Sequence, residues 1–197
     1  MYAPTALAED IMLAAVDAAL GGEGELAKVL DGLDAPIYAT NARGVVSYFN
    51  PACVGFAGRL PAVGKDRWCV TWRLYTDAGA FLPHAKCPMA MAIHEKRPVR
   101  GMTAKAERPD GTWVSFMPLP TPLIDGAGRL LGAVNMLIDV TEVRQIAELR
   151  RQAERCMRLA QGFIERPTGD ALTLMAAEYQ SKAADLERAA MPSLYFA

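Results

Sequence analysis

Apolar residues in this chain alternate, run together, or recur every three to four positions, and each habit predicts a different element. Ile37 to Thr40 and Val45 to Phe49 are β-rich runs separated by Asn41-Ala42-Arg43-Gly44, which predicts a hairpin with glycine where a positive φ is wanted. Val99 to Glu107, Thr112 to Ile124 and Arg129 to Val140 predict three further strands. They are separated by the turn sequences Arg108-Pro109-Asp110-Gly111 and Asp125-Gly126-Ala127-Gly128. Leu130 to Ile138 is apolar at nearly every position, which predicts a strand covered on both faces, and Asn135 is its one polar residue.

Helical spacing accounts for most of the rest. Leu7, Ile11, Ala14, Ala15 and Ala18 form a short stripe that ends at Gly21-Gly22, and Glu25 to Leu33 adds a turn or two. Pro51 to Ala57 and Cys87 to Lys96 read as short helices with proline near the start. Asp139 or Thr141 is offered as N-cap of a long helix, with Glu142 placed as in a capping box. Along that helix Val143, Ile146, Ala153, Met157, Ala160 and Ile164 form a coiled-coil-like stripe, with Arg150 polar in the seam. Pro167-Thr168-Gly169 is expected to break it before a second helix carrying Leu172, Met175, Tyr179, Ala183 and Leu186, giving a helical hairpin. Leu60 to Pro83 shows no clear pattern, although Trp68 and Trp72 fall there.

Composition narrows the class. A chain of 197 residues suits one well-buried domain with helical additions, and a net charge of −1 offers no large field to attract nucleic acid or an anionic membrane. Arg150, Arg151, Arg155 and Arg158 are interleaved with Glu142, Glu148 and Glu154, as on a solvated mixed-charge face. Cys53, Cys69, Cys87 and Cys156 have neither CxxC pairing nor zinc spacing, which points to reduced thiols. Glu9 and Asp10 stand where a signal peptide needs positive charge, and no apolar run reaches membrane-spanning length, so a cytoplasmic protein is expected. With no Ser-His-Asp set, P-loop or paired carboxylates in a recognisable motif, an enzyme is the least supported class.

Two stretches carry a resemblance. The strand, Asp-Gly-type turn, strand and Asp139-Val140-Thr141-Glu142 hand-over resemble the closing half of a PAS sensory domain. Asp34 to Ala52, with its Asn50-Pro51-Ala52, resembles the opening half. The resemblance implies an α+β fold with a five-stranded antiparallel sheet, short helices on one face, an N-terminal helix and a C-terminal helical hairpin. It divides the chain into an N-terminal helical cap (1–32), a PAS-type domain (33–141), coiled-coil-like helices (142–190) and a tail (191–197).

The resemblance also implies a small-molecule cavity on the inner sheet face. Phe116, Pro118, Pro120, Ala133, Asn135 and Leu137 would line it, Met89 and Ile93 would close it, and Trp68 or Trp72 would lie beside it. Asn135 in an apolar wall needs partners, which a ligand, ordered water or neighbouring groups could supply. Pro118, Pro120 and Pro122 remove three ladder donors, leaving either a distorted strand end or a gap that exposes carbonyls. His84, His94 and Cys87-Pro88 raise a haem-sensor alternative, whereas the Asn-Cys-Arg motif of flavin photosensors does not occur. No cofactor is assigned.

Asp139, Thr141 and Glu142 would transmit the state of the cavity into the helix and on to a signalling partner. No histidine follows His94, so the chain does not carry the phosphorylatable helix of a histidine kinase. The outer face Val134, Met136 and Ile138 needs covering by the N-terminal helix or a second subunit, and with Val143, Ile146 and Met157 it predicts a homodimer. The rival from another class is a ligand-free PAS scaffold that dimerises and binds proteins.

Overall fold

A computed structural model describes residues 10–16, 19, 23–162 and 166–194, in two compact units that divide between Asp139 and Val140. Strands β1 (Ile37–Asn41) and β2 (Val46–Phe49) form the expected hairpin. Asn41 Oδ1 accepts the N–H groups of Arg43 and Val45, and Gly44 takes φ 75° to close the turn. After the hairpin come β3 (Arg73–Tyr75), β4 (Ala104–Glu107), β5 (Trp113–Pro118), β6 (Thr121–Ile124) and β7 (Leu130–Asp139). The antiparallel order is β2-β1-β7-β5-β4-β3, with β6 also paired to β7.

Seven strands replace the expected five for two reasons. Arg73–Tyr75, inside the stretch with no clear pattern, adds a short edge strand against β4. The expected strand Thr112 to Ile124 is interrupted where prolines alternate. Its register against β7 carries across that interruption, because Pro118 pairs with Leu137 and Thr121 with Val134, which sets Pro120 opposite Asn135. Leu119 N–H points at β7 and reaches the Met136 carbonyl at 2.9 Å, so the donors missing from Pro118, Pro120 and Pro122 lie on the opposite edge. On that edge β4 begins only at Ala104, and the Pro120 carbonyl takes Val99 N–H at 3.1 Å and Arg100 Nη1 at 3.0 Å. The prolines therefore mark where the third strand stops pairing, and Val99 to Thr103 is not strand as expected.

The sheet is covered on both faces. On the inner face α3 (Ala52–Ala57) and α4 (Pro88–Glu95) close a core containing Tyr38, Phe56, Met89, Ile93, Phe116 and Leu137. On the outer face Ile37, Ala39, Leu119, Leu123, Val134 and Met136 pack with Met12 and Ala15 of α1 (residues 10–16) and Leu30 of α2 (Glu23–Leu30). Of the predicted N-terminal stripe, Ala15 is buried, Ile11 half-buried and Ala14 exposed, with Met12 taking the central place; Leu7 and Ala18 lie outside the described residues.

The second unit is a pair of helices, α5 (Thr141–Gly162) and α6 (Arg166–Leu194). The first intrahelical bond of α5, Arg144 N–H to the Val140 carbonyl, puts Val140 at the cap, one residue from each of the two expected. The expected division into two helices falls just ahead of Pro167, which sits in the first turn of α6, where its missing N–H costs nothing. The helix continues through Pro192, so residues 192–194 are not tail; Ile164 and the last three residues lie outside the described set.

Candidate functional site

At the centre of the inner face three residues form one row across the sheet: Tyr38 on β1, Asn135 on β7, and Pro120 by register on the far side. Tyr38 is fully buried, and its hydroxyl donates to the Trp68 carbonyl at 2.9 Å while accepting from Asn135 Nδ2 at 3.0 Å. Burial, with Cys69 and Cys87 nearby, pushes the Tyr38 hydroxyl well above its ordinary pKa, so it is a neutral donor. This pattern fixes the amide orientation of Asn135: nitrogen faces Tyr38, and Oδ1 is left buried with no partner among the described residues. Tyr38 has spent its proton on Trp68, and proline has none to offer. Thr40, one inward position along β1 and diagonal to Asn135, likewise has Oγ1 buried without a partner.

The Trp68 carbonyl is aimed inward by an uncommon backbone. Trp68 has φ 69°, in the left-handed region that non-glycine residues seldom adopt. Its N–H bonds the Gly44 carbonyl at 2.7 Å, and its ring lies so close to Gly44 that an added Cβ would sit 2.2 Å from it. The Cys87 thiol also approaches the Trp68 carbonyl, at 3.8 Å. Cys53, Cys69 and Cys87 are all free and buried in this core, and burial pushes Cys53 and Cys87 up to about 12, so both stay protonated thiols.

The predicted lining is partly gathered here. Phe116, Ala133, Leu137, Met89, Ile93 and Trp68 belong to the inner core, with Pro118 and Pro120 buried on the same stretch. Trp72 does not: it is 39% exposed, with the Arg73 guanidinium 4.1 Å from its ring centroid. Neither histidine joins the inner core. His94 is exposed with its ring tilted against Trp68, and His84 Nε2 is 3.2 Å from the Thr71 carbonyl. Both histidines therefore lie outside the core in which a haem would have to be held.

Val134 and Met136 are buried beneath α1 and α2, with Ile138 half-buried beside them, so the outer face is covered within one chain and does not leave the free area expected for a second subunit. In the helical unit Ala153 and Cys156 of α5 and Ala176 and Ala183 of α6 are buried, with Leu172 and Tyr179 of α6 half-buried, while Val143 is 67% exposed and Met157 39% exposed. The seam residue Arg150 is answered by Glu187 of α6 at 2.6 Å. Glu142 lies in the first turn of α5, where a carboxylate favours the helix N-terminus, and only Val140 separates β7 from α5.

Sequence reasoning missed Tyr38 and Thr40 because both look like ordinary strand residues until the register of β1 against β7 is known. It read Asn50 only as the start of a helix. Asn50 is fully buried, accepts the Ile37 N–H at 2.9 Å, and donates to the Leu30, Leu33 and Ala35 carbonyls. Every polar atom of Asn50 is engaged, whereas Asn135 keeps one atom idle.

The sheet unit is a PAS-fold domain, with the strand order, inner-face helices and strand-to-helix exit that the opening and closing motifs resemble. No protein-family model and no curated protein matches the sequence. Among solved structures the chain is similar to an RNA-binding light-oxygen-voltage receptor, at 22% identity and TM-score 0.47, over 60% of this chain and 33% of that one. It is similar to a LOV domain from a blue-light activated histidine kinase of Erythrobacter litoralis, at 21% identity and TM-score 0.43, over 55% of this chain and 98% of that one. A PAS domain from Colwellia psychrerythraea matches at 15% identity and TM-score 0.41, over 60% and 97%. Identities at this level concern the fold alone. Among the described residues no helix is long and apolar enough to cross a membrane.

Proposed function

We propose that this chain is a PAS-type sensory module that holds a small molecule against the inner face of its sheet and passes the state of that site through β7 into α5 and to a partner protein. The observation that carries the reading is the pair of buried, partnerless acceptors, Asn135 Oδ1 and Thr40 Oγ1, at neighbouring inner-face positions. A buried polar atom without a partner costs about 1–3 kcal/mol, and a ligand N–H or O–H placed between the two would remove that cost. A ligand that draws Asn135 away from Tyr38 would bias β7, whose last residue is one position from α5.

A second reading, the ligand-free scaffold, draws on a different observation: Tyr38, Met89, Phe116 and Leu137 fill the inner face with the chain's own side chains. In either case the exposed apolar residues of the helical unit, Val143, Met157, Leu174 and Met175, favour association with a second copy. Native mass spectrometry of the purified chain separates the two readings. A retained small molecule that is lost in Asn135→Leu supports the sensor; wild-type protein at its bare polypeptide mass, unaltered by a small-molecule screen, supports the scaffold.

A further inference from the structure

A concavity of about 240 Å³ lies where residues 59–72 meet the 3-10 turn His84–Lys86. Its charge is one-sided. Arg59, Lys65 and Arg67 line it against a single carboxylate, Asp66, which leaves a local excess of positive charge on a protein whose net charge is −1. Asp66 is already engaged by the Arg59 Nη2 at 2.6 Å and the Ala62 N–H at 2.8 Å. That arrangement anchors Arg59 without satisfying it, because Arg59 Nε is buried with no acceptor. The excess of cationic lining itself attracts an anion.

The other walls carry no carboxylate. The Thr71 carbonyl can only accept, so the His84 proton that meets it sits on Nε2, and burial holds that ring neutral, leaving Nδ1 free of hydrogen. The Cys69 thiol and Thr71 hydroxyl, 3.1 Å apart and bonded to each other, leave one uncharged donor between them in the lining. Trp72 adds a flat apolar wall. The volume is below that of sites for drug-sized ligands.

We propose that this cleft binds a small molecule bearing an oxyanion, a carboxylate or a phosphate, with Arg59, Lys65 and Arg67 holding the charge and Trp72 bounding the rest. Of its lining only Cys69 also belongs to the inner core, and the cleft does not require the inner face to be occupied.

The test uses the full chain, titrated by calorimetry with sodium benzoate and with inorganic phosphate at ionic strength held constant with sodium chloride. At least one of the two binds the wild type. Its affinity falls by at least about tenfold in Lys65→Glu with Arg67→Glu. It stays unchanged in Lys182→Glu, an exposed charge reversal on α6. Binding of benzoate alone assigns a carboxylate, and of phosphate alone a phosphate. Lys65→Gln with Arg67→Gln repeats the measurement should the charge reversal disturb folding. The proposal is overturned if neither anion binds, if the neutralised cleft binds as well as the wild type, or if Lys182→Glu weakens binding equally. None of these results bears on Asn135, whose role is read by ligand retention on the inner face.

Discussion

The amide nitrogen of Asn135 meets the hydroxyl of Tyr38 at 3.0 Å across 97 residues of sequence, and that one bond orients both side chains of the inner-face row. Removing the hydroxyl in Tyr38→Phe strips Asn135 Nδ2 of its acceptor and the Trp68 carbonyl of its stronger donor, and should cost about 2 kcal/mol or more in urea unfolding. Asn135→Leu removes an atom that already lacks a partner and leaves Tyr38 bonded to Trp68, so it should change stability by no more than about 1 kcal/mol. If Asn135→Leu proves the costlier of the two, Oδ1 has a partner in solution and the site is occupied.

Gly44 is required for two reasons at once, a positive φ of 75° and the Trp68 ring against its α-carbon. Gly64 shares the backbone, at φ 78°, but has open space around it. Gly64→Ala should therefore cost about 1 kcal/mol from the backbone alone. Gly44→Ala should cost a further 1–3 kcal/mol, roughly, because the tryptophan must move. Equal losses of melting temperature would show that Trp68 does not rest on Gly44.

His84 titrates below its ordinary value of 6.5, chiefly because burial disfavours the charged ring, with Arg59 adding to this and the Thr71 carbonyl and Asp66 opposing it. In the unfolded chain the ring takes up its proton near the ordinary value. Between the two pKa values the unfolded state therefore binds more protons, and stability is lost as the pH falls from about 6.5 through the folded pKa. Denaturant midpoints measured between about pH 7 and pH 5 should drop more steeply in the wild type than in His84→Gln. Parallel slopes would mean that the ring charges freely in the fold.

The helical pair buries alanine and cysteine where it closes, Ala153 and Cys156 against Ala176, and leaves Val143 and Met157 outside. Association of two copies through that remaining apolar surface should be broken by Ile146→Glu with Met157→Glu, since burying an unpaired charge costs several kcal/mol, roughly, while exposing one costs little. Light scattering should report a fall from dimer to monomer with tryptophan fluorescence unchanged. A wild type that is already monomeric at the same concentration discards the dimer and leaves α6 as the sole cover of α5.

Local chemistry made much of this molecule readable in advance. The hairpin at Asn41 to Gly44, the two proline-led inner helices and the apolar run ending two residues before α5 all follow from the conformational needs of Gly, Pro and Asn and from periodicity. The sequence also marked Asn135 as out of place in an apolar strand. What it could not decide was where such residues meet. Register alone set Tyr38 and Pro120 on either side of Asn135, and only that pairing left Oδ1 without a donor. Only the fold carried Trp68 into the core and left Trp72 at the surface, four residues apart in a stretch with no periodicity to read. Covering of Val134 and Met136 likewise depended on where Met12 and Leu30 landed, since a stripe of apolar residues states that a face must be buried but not what will bury it.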